Sequence, residues 1–135
     1  MSTNGFKFVE HPTDIDMVIW ASSAEKLFEQ AALALTEFCY PTISAIKNPE
    51  LSAKISCNED SWSELLHQWL NEIITITNKK NACINEFSFR YFSEKQVTAV
   101  IYGRRVNKPF RLKKVLRATV YNKNHRYRAE ITAII

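Results

Sequence analysis

One apolar stripe constrains this chain more than any other feature. Trp62, Leu65, Leu66, Trp69, Leu70, Ile73 and Ile74 recur at the spacing of a single helix face, the strongest such stripe in the sequence. A stripe this heavy has to be buried against something broad. Ser61-Trp62-Ser63-Glu64 stands at its start as a capping box, with a serine hydroxyl serving the first turn and a glutamate three residues later reaching back. The two tryptophans, seven residues apart on the same stripe, read as packing. A second helix is predicted from Ser23, with Ser22 as the cap in Ser22-Ser23-Ala24-Glu25. Its apolar face carries Leu27, Phe28, Ala31, Leu35 and Phe38, and Tyr40-Pro41 ends it because a residue before proline disfavours helical geometry.

The partner for both stripes is written with period two. Residues 6–9, 14–20, 51–57, 84–92, 96–102, 115–121 and 126–135 read as strands, joined by turns such as Ser93-Glu94 and Asn122-Lys123-Asn124. In the last of them Tyr127, Ala129, Ile131, Ala133 and Ile135 form the apolar face, and Ile134 intrudes on the polar one. The economical arrangement is an α+β sandwich: two helices packed on one face of an antiparallel or mixed β-sheet. A length of 135 residues with 46% hydrophobic content suits one domain spanning 1–135.

Several functions are excluded early. Two glycines cannot build a phosphate-cradling P-loop or a dinucleotide fingerprint, so nucleotide binding by those routes is out. Cys39, Cys57 and Cys83 are odd in number and widely spaced, which predicts free buried thiols rather than a zinc site. No stretch approaches the ~20 apolar residues of a membrane helix, and the expectation is a soluble, cytoplasmic protein without a membrane partner. His11, His67 and His125 lie far apart in sequence, and no Ser or Cys sits in a recognisable nucleophile motif, so an enzyme is not expected.

The polar residues worth attention precede and open the second strand. In Glu10-His11-Pro12-Thr13-Asp14-Ile15-Asp16, Pro12 holds His11 extended, and the alternation that follows sets Asp14 and Asp16 on one face. Such a pair suits a hard cation. It equally suits a turn-satisfying Asp14 beside a solvated Asp16.

Read together, these segments resemble the archease family, small accessory proteins of the RNA-splicing ligase that joins tRNA halves. His11-Pro12-Thr13-Asp14-Ile15 stands where archeases have His-Thr-Ala-Asp-Ile/Val, and Ala31-Ala32-Leu33-Ala34-Leu35 matches the first-helix pattern. Trp69-Leu70-Asn71-Glu72-Ile73 is similar to the family's Trp-Leu-Asn-Glu-Leu, and Arg117-Ala118-Thr119-Val120-Tyr121 falls where Lys-Ala-x-Thr-Tyr-His is usual, with Asn122 in place of that histidine. The resemblance implies a non-catalytic role, promoting guanylylation and repeated turnover of the ligase, with His11 and Asp14 at the contact. It also implies a divalent metal, Ca²⁺ or Mg²⁺, held by the motif Asp, an Asp one residue before the C-terminus and the terminal residue itself. Asp14 and the terminal carboxylate of Ile135 match the first and last of these. Ile134 replaces the middle one, so weakened binding is expected unless Asp16 compensates.

Charge is unevenly spread along the chain. Residues 1–94 hold thirteen acids against seven Lys or Arg, whereas residues 95–135 hold eleven Lys or Arg against Glu130 alone. Arg104, Arg105, Lys108, Arg111, Lys113, Lys114 and Arg117 form the densest basic run, the composition expected of a phosphate-binding surface. The alternative to a ligase accessory protein is therefore an RNA-binding module that keeps the fold and has lost the metal.

Overall fold

The computed structural model describes residues 3–41, 49–107 and 110–135. In chain order these form β1 (Gly5–Glu10), β2 (Asp14–Ala21), α1 (Ala24–Cys39), β3 (Leu51–Asn58), α2 (Trp62–Lys80), β4 (Ala82–Phe92), β5 (Gln96–Arg105), β6 (Lys114–Lys123) and β7 (Arg126–Ile134). Lys108 of the basic run, and Asn48 in the stretch of sequence between α1 and β3, lie outside the described residues.

The expected α+β architecture is present, with one refinement. The strands make two sheets, a four-stranded one in the order β1-β2-β7-β6 and a three-stranded one in the order β3-β5-β4, and every pairing is antiparallel. Both helices lie between them. α1 packs on β1, β2 and β7 on one side and on β4 on the other, while α2 packs on β6 and on all three strands of the smaller sheet. Each sheet therefore has its helices on one face and solvent on the other.

A helix between two sheets needs more than a stripe. In α1, Ala32, Ala34 and Thr36 are buried in addition to Leu27, Phe28, Ala31, Leu35 and Phe38. Thr36 is a polar residue in that core, and its hydroxyl is satisfied by donating to Ile84 O at 2.6 Å. Trp69, fully buried, joins three elements: its indole N–H donates to Phe28 O of α1 at 3.1 Å, and its ring meets Phe87 and Phe89 of β4.

The caps follow the sequence with one shift. Ser61 Oγ accepts from Glu64 N, as an N-cap does, and its hydroxyl donates to the Glu64 carboxylate. For α1 the cap is Ser23, not Ser22, because Ser23 Oγ accepts from Lys26 N while Ser22 is engaged by Asn4 Oδ1. Tyr40 is the C-cap of α1, and α2 ends on Asn81 in the left-handed conformation at φ 50°. Cys39, Cys57 and Cys83 are free and buried, and burial pushes their thiols up to about 11, 12 and 11 respectively. Such thiols are inert at neutral pH.

Candidate functional site

The register of the larger sheet decides which polar residues share a surface. Asp14 pairs with Ile134 and Ile134 with Lys114, so these three form one cross-strand row on the outer face. The next row outward-facing is Asp16, Thr132 and Arg117. As alternation predicts, both carboxylates face outward while Ile15, Met17 and Ile19 are buried.

The turn that carries His11 is braced from several sides. His11 N–H donates to Asp14 O at 2.8 Å, closing the β1–β2 connection. Ile135 N–H donates to Thr13 O at 3.1 Å and Lys113 N–H to Ile134 O at 2.8 Å, which ties the last strand and the entry to β6 onto the same tip. Arg111 reaches Glu10 at 2.7 Å, and its guanidinium lies 4.4 Å from the centre of the Phe38 ring.

Asp16 is engaged on both oxygens. Thr132 Oγ1 donates to Oδ1 at 2.8 Å, and His11 Nε2 stands 3.1 Å from Oδ2. The Thr132 hydroxyl, then His11 and Arg117, hold its carboxyl below the usual range for aspartate against the smaller opposing effect of desolvation. No sequence signal pairs Asp16 with Thr132, since they are 116 residues apart and meet only through strand register.

A divalent cation fits this tip poorly. Calcium and magnesium take several oxygen donors, and charged ones set the affinity. Asp14 has a hydrocarbon side chain as its neighbour on β7 and a lysine beyond it, and Asp16 is already bonded. Among the described residues no three of His, Cys, Asp and Glu gather into a possible metal cage. Ile135, the last position of the set that the resemblance implies, lies beside the Asp14 turn.

The basic run is divided between the two sheets. Arg104 and Arg105 end β5 in the smaller sheet, whereas Lys114 and Arg117 belong to β6 in the larger one. Arg104 places Nε and Nη2 on one oxygen of Glu50, at 2.9 and 2.7 Å, and Arg111 is held by Glu10. Arg105, Lys113, Lys114 and Arg117 are exposed.

Comparison with known proteins settles the family. The Archease protein family matches residues 6–134. The chain belongs to the archease family. Protein archease of Pyrobaculum neutrophilum is 24% identical over 101 residues, covering 73% of this chain and 67% of that protein. Protein archease of Archaeoglobus fulgidus is 32% identical over 69 residues, covering 51% of this chain and 49% of that protein. Among solved structures, Methanobacterium thermoautotrophicum protein 1598 aligns with a TM-score of 0.68 at 19% identity, covering 97% of this chain and 99% of that one. An archease of Thermotoga maritima, described as a possible chaperone, aligns with a TM-score of 0.61 at 14% identity, covering 96% of each.

As an archease, the protein is an accessory factor and not itself an enzyme. Among the described residues no helix is long and apolar enough to cross a membrane. The archease-like segment Trp69-Leu70-Asn71-Glu72-Ile73 now has a physical role: Trp69 locks α2 to α1, and Asn71 bonds the backbone of Val115 in β6.

Proposed function

We propose that this archease serves an RNA-splicing ligase in the cytoplasm, contacting it through the tip around His11 and Asp14 and promoting its guanylylation and repeated turnover. The observation that carries this reading is the bracing of that tip. Backbone bonds from Ile135 and within the His11–Asp14 turn, with the Arg111–Glu10 ion pair, hold an exposed polar turn in one shape. A preorganised turn loses little conformational freedom on docking, which is what a contact surface for another protein requires. The test is multiple-turnover ligation by the organism's own ligase with and without this protein. Stimulation is expected, and Asp14→Ala is expected to weaken ligase affinity by about tenfold or more while leaving Tm unchanged. Unchanged ligation in the presence of unaltered protein would sink the reading.

The proposed contact does not depend on a tightly bound ion. Asp14 is the one side chain retained from the implied metal set, and the occupied oxygens of Asp16 argue against its substituting for the donor lost at Ile134. Ile134→Asp is expected to strengthen Ca²⁺ or Mg²⁺ binding by about tenfold or more in calorimetric titration, because it adds a charged oxygen donor on the Asp14 row. Tight binding by unaltered protein that disappears in Asp16→Ala would show the opposite assignment.

A further inference from the structure

The outer face of the four-stranded sheet changes character along its length. At one end stand Asp14 and Asp16; at the other, beyond Val18, the row Trp20, Arg128 and Tyr121 crosses three adjacent strands. Strands lie about 4.8 Å apart, so the Trp20 and Tyr121 backbones stand roughly 10 Å from each other with that of Arg128 between them. Tyr121 is 50% exposed, a large value for an aromatic residue in a sheet.

The row is held in place rather than merely solvated. Trp20 lies across Gly5 of β1, where an added Cβ would meet the indole at 2.8 Å, so a bare backbone makes room for the ring to lie along the sheet. Glu130 accepts from the Tyr121 hydroxyl at 3.1 Å and stands 3.4 Å from Arg128 Nη2, orienting both. The two-residue turn Asn124-His125, with φ 52° and 60°, closes the β6–β7 hairpin and sets Lys123 opposite Arg126 on the same face. Lys7 faces outward on β1, paired with Val18. A groove of about 700 Å³ runs between Trp20, Tyr121 and the hairpin cations.

We propose that this end of the outer face binds single-stranded nucleic acid, with bases stacked on Trp20 and Tyr121 and phosphates met by Lys7, Lys123, Arg126 and Arg128. Charge and shape select the occupant together. Four cations face one acid, Glu130, on this half of the face, which calls for a polyanion. The exposed Tyr121 ring and the partly buried Trp20 ring beside those cations call for flat π-faces at short intervals, and nucleic acid supplies both. An acidic peptide supplies the charge alone. The surface is distinct from Arg104 and Arg105 of the basic run, which end β5 in the smaller sheet. It lies six residues along β2 from Asp14, roughly 20 Å away, so the proposal stands whether or not a ligase docks at the tip.

Fluorescence anisotropy with labelled oligouridylate tests it. Binding is expected at low ionic strength, falling with salt at a slope of roughly 0.7 per phosphate contact. Tyr121→Ala is expected to weaken binding by about tenfold at unchanged Tm, because the ring is half exposed and stacking on a base is what it loses. Trp20→Leu should weaken it comparably, its melting curve guarding against loss of packing on Gly5. Lys123→Ala with Arg126→Ala should flatten the salt slope. Arg104→Ala and Asp14→Ala should leave binding unchanged, so a failed ligase assay and a failed nucleic-acid assay are separable. No binding at low ionic strength, binding indifferent to Tyr121→Ala and Trp20→Leu, or equal binding of polyglutamate would each overturn the proposal.

Discussion

Trp69→Ala is expected to destabilise the protein by about 3–5 kcal/mol, the range for emptying a fully buried aromatic site. Trp69 has no solvent exposure, and its neighbours come from different layers: Phe28 on α1, and Phe87 and Phe89 on β4, at ring separations of 6.2, 6.0 and 5.4 Å. Those neighbours belong to separately anchored elements, so they cannot collapse into the void together. The Phe28 carbonyl also loses the indole N–H. A domain of this size has a total stability of ~5–15 kcal/mol, so a large share is at risk from one side chain. Trp69→Phe separates the causes, since it restores most of the ring but not the donor, and should fall between wild type and Trp69→Ala. Urea denaturation measures both. A loss below about 1 kcal/mol in Trp69→Ala would mean that α1, α2 and β4 are not held together through this residue.

The same residue shows what could be read from the chain beforehand. Period alone assigned Trp69 to a buried stripe, and the alternations around Asp14 and Ile134 assigned those side chains to the outer face of their strands. These are local properties, set within a few residues. What period could not reveal is which strands pair. Asp16 and Thr132 meet across 116 residues, and Arg104 and Arg117 part company because β5 and β6 join different sheets. A basic run that is continuous in sequence is therefore shared between two sheets. Ser22 and Ser23 illustrate a smaller ambiguity: either hydroxyl could cap the helix, and a contact from Asn4, eighteen residues earlier, takes up the first. The Trp20–Arg128–Tyr121 row was invisible for the same reason as Asp16–Thr132, since its three members come from three strands.

Asn71→Leu is expected to cost about 2–3 kcal/mol, although it alters a single partly buried side chain and keeps its branched shape. β6 is an edge strand, and its backbone is interrupted by a register shift between Val115 and Arg117 that leaves Leu116 48% exposed. Edge groups need partners from elsewhere, and here α2 supplies them. Asn71 Oδ1 accepts from Val115 N at 2.8 Å and its Nδ2 donates to Val115 O at 3.2 Å, while Ser63 Oγ accepts from Val120 N at 2.9 Å further along. His67 Nε2, 3.0 Å from Val115 O, can still serve that carbonyl, so the orphaned group in Asn71→Leu is the Val115 N–H. Asn71→Asp keeps an acceptor for it and should cost less. The consequence reaches the outer face, because Val115 stands between Lys114 and the shifted segment that delivers Arg117 to the Asp16 row. Amide exchange at Val115 should accelerate in Asn71→Leu ahead of global unfolding, as expected when an edge opens locally. A stability change within about 0.5 kcal/mol and unaltered exchange at Val115 would place the clamp on β6 elsewhere, in Ser63 or in the sheet pairing with β7.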